Sequence, residues 1–411
     1  MKISSKSDKL IDYFSNNIFN IIKLTHKTKQ IFKILFKDIS NAFIFIQKLK
    51  KSPYLYEVKE IERPNDIIMP TTFNSDSFPE NIINHIKLNS ECQIKFTFEI
   101  LERNIVIYFV LEEKNIDFKK IFEYVDLILM WLFIADEYCS LKCAKQLTIY
   151  IYLTSLFKIL PISNFEILNE NHVNTAFTRS CSINSEIVIF RKEEWFKVFL
   201  HETFHNFGLD FSGMNNISCN DEILSIFKVN SEVNLFESYA EFWAQIMNSC
   251  FCSFLYLNDK TNENGFLTNV EILLNNEIQF GIFQLVKVLN FMGMRYGDLY
   301  SDKESSIQLR NNCYKEDTNI LSYFVIKSVL MNNFQGFLEW CYTNNLSLLN
   351  FKKTNKNIMK FCDFIKKNYK SNSMSNNIKK TQSFFEEEKE EKKKSNNLIF
   401  TNLRMSIYEF N

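Results

Sequence analysis

The segment from Arg191 to Gly208, RKEEWFKVFLHETFHNFG, constrains the fold of this chain more than any other. Its acidic residues Glu193 and Glu194 suit the first turn of a helix, where negative charge meets the positive end of the helix dipole. Gly208 suits the left-handed residue that often follows the last turn. The segment therefore predicts one helix with a clear beginning and a clear end.

Two histidines four residues apart, His201 and His205, project from one face of that helix. Their ring nitrogens can reach a single tetrahedral zinc ion, and Glu202 lies beside them. The imidazoles would hold the ion, the carboxylate would take a proton from the water that the ion activates, and an open position would accept a carbonyl. We therefore predict one zinc ion per chain, with Glu202 as the general base. The alternative, for this segment alone, is an ordinary amphipathic helix with two histidines at its surface or in its core.

A second helical segment, SEVNLFESYAEFWAQIMN from Ser231 to Asn248, places two carboxylates one turn apart. Glu237 can supply a third ligand, and Glu241 can accept the N–H of a bound histidine and so fix its tautomer. Taken alone, these two residues would indicate a solvated acidic face. Their position after HETFH favours the metal site.

Together the two segments resemble the gluzincin metallopeptidases, in which HExxH is followed by a helix bearing E-x-x-A-E, as in the aminopeptidase and anthrax lethal factor branches. Here the second motif reads Glu237-Ser-Tyr-Ala240-Glu241. The resemblance implies that Glu237 is the third zinc ligand, that Glu202 is the general base, and that the reaction is hydrolysis of peptide bonds. The wider segment is also similar to uncharacterised zinc peptidases encoded by large DNA viruses, a similarity that gives no substrate.

A strand that could bind substrate is expected before the active-site helix. The residues Asn174, Thr175, Ala176 and Phe177, followed by an apolar stretch at 186–190, resemble the edge strand and its neighbour in thermolysin-like enzymes. The free N–H and C=O groups of such an edge can pair with an extended peptide as an added strand. We therefore expect these four residues to bind a peptide or protein substrate.

Asp210 offers an alternative to Glu237 as the third ligand. It follows Gly208 in a His-x-x-Gly-x-Asp arrangement that resembles the metzincin pattern. The register is off by one residue, however, because the metzincin ligand would fall on Phe211, which cannot bind metal. A capping or orienting role therefore fits Asp210 better than a ligand role.

The residue that stabilises the oxyanion is not evident. Thermolysin-like enzymes use a histidine downstream of the motif, and this chain has none after His205. A tyrosine can replace it as a hydrogen-bond donor. The candidates are Tyr239, Tyr296 and Tyr323, although each of them also fits core packing.

Composition and charge exclude several classes of function. Lys plus Arg and Asp plus Glu both total 48, so the net charge of +0 gives no general attraction to nucleic acid, and no such partner is expected. The longest apolar run, from Val125 to Ala135, is too short to cross a bilayer, so no transmembrane segment is expected. The first residues lack a signal-peptide pattern. We therefore expect an intracellular protein, in the host cytoplasm or the virion if the chain is viral, with most of its ten scattered cysteines reduced.

Hydrophobic periodicity predicts an α+β fold, mostly helical, with a small antiparallel or mixed sheet before the active-site helix and with a helical C-terminal lobe. The resemblance described above implies that this helix is zincin-like. The expected units are an N-terminal helical segment (1–50), a small α+β unit (51–120), the zincin-like catalytic domain (121–260), the helical lobe (261–370), and a charged linker with a C-terminal tail (371–411). The basic amphipathic N-terminal segment can dock on the next unit or lie on a membrane. The apolar end of the tail can dock on the body of the protein or on a partner.

Three functions are compatible with these patterns. The first is a zinc-dependent metallopeptidase with His201, His205 and Glu237 as ligands. The second is a catalytically silent, zinc-stabilised scaffold for protein interaction, against which the intact Glu202 argues. The third is a metal-free helical binding protein. The sequence gives neither the substrate nor the oligomeric state.

Overall fold

The computed structural model describes residues 4–15, 21–71, 78–140, 142–391 and 398–410. As the sequence predicts, the fold is α+β and mostly helical, with a six-stranded mixed sheet. The strands, in chain order, are β1 (Tyr56–Glu60), β2 (Cys92–Ile100), β3 (Arg103–Leu111), β4 (Gln146–Tyr152), β5 (Leu168–Asn169), β6 (Ala176–Thr178), β7 (Asn184–Ile189) and β8 (Glu316–Asp317). The short strands β5 and β8 form a separate parallel pair.

Helices cover the sheet and make up most of the C-terminal half of the chain. They are α1 (Ser5–Ser15), α2 (His26–Leu49), α3 (Glu80–Asn89), α4 (Phe118–Tyr138), α5 (Glu170–Val173), α6 (Trp195–Asn206), α7 (Ile217–Ile226), α8 (Leu235–Leu255), α9 (Glu263–Phe291), α10 (Glu304–Cys313), α11 (Lys327–Asn332), α12 (Phe334–Asn344), α13 (Asn355–Asn368), α14 (Asn372–Glu391) and α15 (Leu398–Thr401). A π-helical turn, Leu321–Ile326, leads into α11.

The six-stranded sheet has the order β1-β2-β3-β4-β7-β6. The first three strands pair antiparallel, β4 joins β3 and β7 joins β4 in parallel, and β6 lies antiparallel to β7 at the edge. Burial alternates along β2, as its CQIKFTFEI pattern predicts. The strands of residues 51–120 and those of the catalytic segment thus form one sheet, and the expected boundary near residue 120 falls inside it.

One face of this sheet faces the main core, where α4 and α8 both pack on α6. Helix α4 is buried along most of its length, with Trp131 fully inaccessible. Helix α2 packs on α4, α8 and α9 and buries Phe32 and Leu35, so this amphipathic segment docks on the body of the protein. Each large apolar side chain buried in this way contributes about 1.5–3 kcal/mol.

The described parts of the C-terminal region also pack on the body. Helix α14 lies along α9 and buries Met374, Ile378 and Phe385 on one side, so its charged residues form a solvated outer face. Most of residues 402–410 are buried. The apolar end of the tail therefore docks on its own chain, a choice that the sequence left open.

In the part of the chain that the structure describes, no helix has both the length and the apolar character needed to span a membrane. Six cysteines are free, in line with the expectation that most are reduced. The other four form two disulfide bonds, Cys143 with Cys181 and Cys219 with Cys362. Spacing along the chain does not reveal these pairs, because their members lie 38 and 143 residues apart.

Candidate metal centre

Helix α6 carries HETFH, and it begins later than the sequence indicates, at Trp195. Glu194 takes the N-cap position with a left-handed φ of 58°, and its carboxylate forms a buried ion pair with Lys158. The expected role of Glu193 and Glu194 in the first turn is therefore wrong, because both carboxylates bind main-chain N–H groups of distant segments. At the other end, Gly208 has the predicted left-handed conformation, with a φ of 62°.

Three possible ligand atoms meet where α6 packs against α8. His201 Nε2 lies 3.0 Å from His205 Nε2 and 3.0 Å from Glu237 Oε2, while His205 Nε2 lies 3.3 Å from the same carboxylate oxygen. Atoms that bind a tetrahedral zinc ion at about 2.0–2.1 Å lie roughly 3.3 Å from one another. The triangle formed by His201 Nε2, His205 Nε2 and Glu237 Oε2 therefore has about the size that zinc requires. The fold thus brings together the three residues that the sequence singles out.

Each histidine of the triangle has a carboxylate at its other ring nitrogen. Glu241 Oε2 lies 3.0 Å from His201 Nδ1, and Asp210 Oδ2 contacts His205 Nδ1. An ionised carboxylate can only accept a hydrogen bond, so each Nδ1 donates its proton and each Nε2 can keep a lone pair for a metal. Asp210 thus orients a histidine through the nitrogen that the triangle does not use, which is the role that the sequence favours for it.

The centre is buried and rich in negative charge. Burial alone would lower the pKa of His205, but the carboxylates of Glu237 and Asp210 raise it well above its ordinary value. Hydrogen bonds from His201 to Glu237 and Glu241 likewise raise the pKa of His201 against the effect of burial. The carboxylates therefore favour a positive charge at the two rings, which a divalent metal ion can supply in place of protons.

Glu202 lies beside the triangle with a carboxylate that is free to bind water. It lines the same small cavity as His201, and no residue of the described chain donates a hydrogen bond to it. Burial raises the pKa of Glu202 above its ordinary value, and His201 and His205 partly offset this effect. A carboxylate with a raised pKa is suited to act as a general base.

The small cavity has a volume of about 30 Å³ and lies next to both His201 and Glu202. Thr175 is in its wall, and within the described ranges the buried Thr175 hydroxyl has no hydrogen-bond partner. A buried hydroxyl without a partner is costly. The cavity is large enough for a water molecule, which would satisfy this group.

The expected substrate edge lies at this cavity in part. Strand β6 is the edge of the sheet, and Asn174, Thr175 and Ala176 line the cavity. Phe177 instead packs on Phe78, with their ring centroids 5.3 Å apart. Successive side chains of a strand point to opposite faces, which is why Ala176 and Phe177 separate.

Of the three tyrosines considered for the oxyanion, Tyr323 reaches the site. Its hydroxyl donates a hydrogen bond to Glu237 Oε2 over 3.1 Å, and its ring centroid lies 6.0 Å from that of His201. The π-helical turn that carries it belongs to a rare class that is frequent at functional sites. Tyr239 and Tyr296 donate to main-chain carbonyl groups elsewhere in the core, and this removes them as candidates.

Three residues near the triangle are not foreseen from the sequence. Lys197 forms a buried ion pair with Glu241. It lies one turn before His201 on α6, and this spacing is a signal that could have identified it. Lys158 and Met405 also line the cavity, but no local pattern marks them because they come from distant parts of the chain.

No family model, curated protein or solved structure matches this chain. The gluzincin resemblance and the similarity to viral peptidases therefore rest on the motifs alone. The structure adds a cluster of two buried histidines and one half-buried glutamate that could hold a metal ion.

Proposed function

We propose that the protein is a zinc-dependent metallopeptidase that hydrolyses peptide bonds with an activated water molecule. The observation that carries this proposal is the triangle of His201, His205 and Glu237, in which a carboxylate holds each histidine and Glu202 lies alongside. Buried charges of this kind are costly unless they are paired or bind a metal. The cluster is therefore best accounted for as a site built for a cation.

The donor set favours zinc among the common metal ions. Two imidazoles and one carboxylate, with a fourth position left open, are the ligands of one class of catalytic zinc site. Calcium and magnesium prefer oxygen ligands, which are a minority in this triangle. Ferrous iron also accepts two histidines and a carboxylate, so the test must identify the metal.

The residues around the triangle have distinct roles in the proposed reaction. Zinc bound there would activate water and polarise the carbonyl of the scissile bond. Glu202 would take the proton of the attacking water and pass it to the leaving amine. Tyr323 would turn its hydroxyl from Glu237 to the developing oxyanion, and β6 would pair with the substrate main chain.

A catalytically silent, zinc-stabilised scaffold for protein interaction is the second candidate, and the size of the cavity favours it. A volume of about 30 Å³ admits water but not a peptide side chain. Hydrolysis therefore requires that the cavity widen when a substrate binds, whereas a structural zinc ion requires no such movement. The peptidase requires Glu202 for hydrolysis, whereas the scaffold has no hydrolytic activity and does not require Glu202.

The first experiment is elemental analysis of the purified full-length protein. We expect about one equivalent of zinc, lost in His205→Ala and weakly held in Glu237→Ala. Glu202→Gln should retain zinc but fail to cleave a peptide library that the wild type cleaves. Equal cleavage by Glu202→Gln would refute the mechanism, and zinc without any cleavage by the wild type would favour the scaffold. If the wild type holds no metal even after zinc is supplied, both candidates fail.

A further inference from the structure

A surface loop carries a dense group of exposed apolar side chains. Five large apolar residues are exposed between positions 157 and 167: Phe157, Ile159, Ile162, Phe165 and Ile167. Phe165 is 83% exposed, and Ile162 is fully exposed. A group of exposed apolar side chains as dense as this commonly marks a surface that meets a partner or a membrane.

A large cavity opens beside this apolar loop. Its volume is about 580 Å³, and Phe157 belongs to both the loop and the cavity wall. The loop is joined to the segment that forms another part of the wall, since Leu160 N donates to Thr401 O over 2.8 Å and Ile159 pairs with Asn402. The loop and the cavity are therefore parts of one surface.

Positive charge dominates the polar part of the cavity wall. The charged residues of the wall are the cations Lys6, Lys9, Lys287 and Arg404 and a single carboxylate, Glu193. Both oxygens of that carboxylate already accept hydrogen bonds, from Lys158 N and Asn402 Nδ2. Arg404 also forms an ion pair with Glu409, and burial lowers the pKa of Lys287 well below its ordinary value. The exposed Lys6 and Lys9 therefore supply the positive charge that the wall offers to a ligand.

Two buried polar atoms of this wall have no hydrogen-bond partner within the described residues. They are Arg404 Nη1 and Gln284 Oε1, in side chains that are only 2% and 1% exposed. The nearby Lys287 is equally buried and donates to Asn402 O over 2.7 Å, which uses one of its three protons. Both atoms lie just beneath the wall, and an anionic ligand that also carries a hydroxyl or ammonium group would give each of them a partner.

We propose that the loop and the cavity form a site for an anionic phospholipid at a membrane surface. The cavity takes the anionic head group beside Arg404. The apolar loop lies among the acyl chains, and the exposed Lys6 and Lys9 at the cavity face the negative surface of the leaflet. Lys6 also lies over the ring of Phe157, 3.4 Å from its centroid, so cation and apolar contacts stand next to each other. This site does not depend on the metal centre or on its proposed activity.

The overall net charge of +0 does not oppose such binding. Charges act on a membrane only within about one Debye length, roughly 8 Å at physiological salt. Each lysine near an anionic surface strengthens binding by about fivefold. Each large apolar side chain that enters the interface strengthens it by about tenfold or more, so the loop supplies most of the affinity and the cations supply the preference for anionic lipid.

The test is co-sedimentation of the full-length protein with vesicles of phosphatidylcholine alone and with vesicles containing about one-fifth phosphatidylserine. We expect stronger binding to the anionic vesicles. The double variant Ile162→Ser/Phe165→Ser should bind both kinds of vesicle at least about tenfold more weakly. Lys6→Glu/Lys9→Glu should lose at least about tenfold on the anionic vesicles and much less on the neutral ones.

Matched control variants change equally exposed residues outside the loop and cavity. Leu88→Ser/Leu346→Ser and Lys29→Glu/Lys48→Glu should bind like the wild type. Thermal denaturation of every variant shows whether it is folded. Absence of binding by the wild type overturns the proposal, and so does an equal loss in test and control variants. A further outcome is that the protein does not bind vesicles but that soluble glycerophosphoserine raises its melting temperature. This result would identify a free anion as the ligand, and it also overturns membrane docking.

Discussion

Asp210→Ala tests how the metal centre is held together, because it removes the carboxylate behind His205. The side chain is fully buried, and its Oδ2 contacts His205 Nδ1. Its Oδ1 accepts hydrogen bonds from Ser212 N and Ser212 Oγ, at 3.2 and 2.8 Å. Loss of such a partner lowers metal affinity about 10- to 100-fold, which corresponds to about 1.4–2.8 kcal/mol. We expect a loss of that size for Asp210→Ala, because the imidazole remains but its tautomer and orientation are no longer fixed.

Competition between the protein and a chromogenic zinc chelator measures this affinity. Asp210→Asn should lose less than Asp210→Ala, since its amide oxygen can still accept the proton of His205 Nδ1. Ser212→Ala is the matched control, because it removes a neighbour of the carboxylate and leaves the contact with His205 in place. His205→Ala should lose far more affinity than any of these variants, as expected when a ligand itself is removed.

Two results would refute this reasoning. Wild-type affinity in Asp210→Ala would mean that the contact with His205 Nδ1 does not contribute to metal binding. Complete loss of zinc in Asp210→Ala, together with retention in Glu237→Ala, would make Asp210 the third ligand, as in the metzincin-like alternative. Near-ultraviolet circular dichroism of each variant shows whether the core around Asp210 is intact, so that unfolding is not mistaken for loss of a ligand.

Three further predictions concern the stability of the fold. Replacing Cys143 and Cys181 with Ser should lower the free energy of unfolding by about 4 kcal/mol in urea denaturation, because the bond closes a loop between residues 38 apart. Gly208→Ala should cost about 1–2 kcal/mol in the same assay, since an L-residue is disfavoured at its φ of 62°. Deleting residues 402–411 should lower the melting temperature by about 10 °C or more. The core then loses the buried side chains of Leu403, Met405, Ile407, Tyr408 and Phe410, and Glu194 stays buried without the main-chain N–H groups that it binds. A truncated chain that melts with the full-length protein in calorimetry would contradict the last prediction.

The triangle could be predicted from the sequence because its geometry is local. The spacing of His201 and His205 sets their common face on one helix, and the spacing of Glu237 and Glu241 does the same on another. One tertiary contact, the packing of α6 on α8, then completes the site. The wall of the small cavity beside His201 could not be predicted in the same way, because Met405 reaches it from the far end of the chain.

The limits of the fold prediction have the same origin. Alternation and helical periodicity identify β2, β3 and α4, because burial on one face is visible within each element. The parallel pairing of β3 with β4 cannot be seen in the sequence, because a helix separates the two strands along the chain. Each strand would also have the same hydrophobic pattern if it belonged to a different sheet. The expected boundary near residue 120 lies where the hydrophobic pattern changes, and in the structure that change marks the helix α4 that connects β3 to β4 within one sheet.

The C-terminal segment shows why the fold buries so many charged side chains near the metal centre. An irregular segment in the core must have its main-chain groups satisfied by other parts of the protein. Here Met405 N donates to Glu194, and Met405 O accepts from Gln245 and Lys327. Gln245 lies two turns beyond Glu237 on α8, so one helix fixes both the third possible ligand and the segment that walls the cavity. The apolar side chains of the tail drive its burial, whereas the buried polar groups of Glu194, Gln245 and Lys327 determine where the tail lies. These three residues therefore fix the wall of the small cavity beside His201.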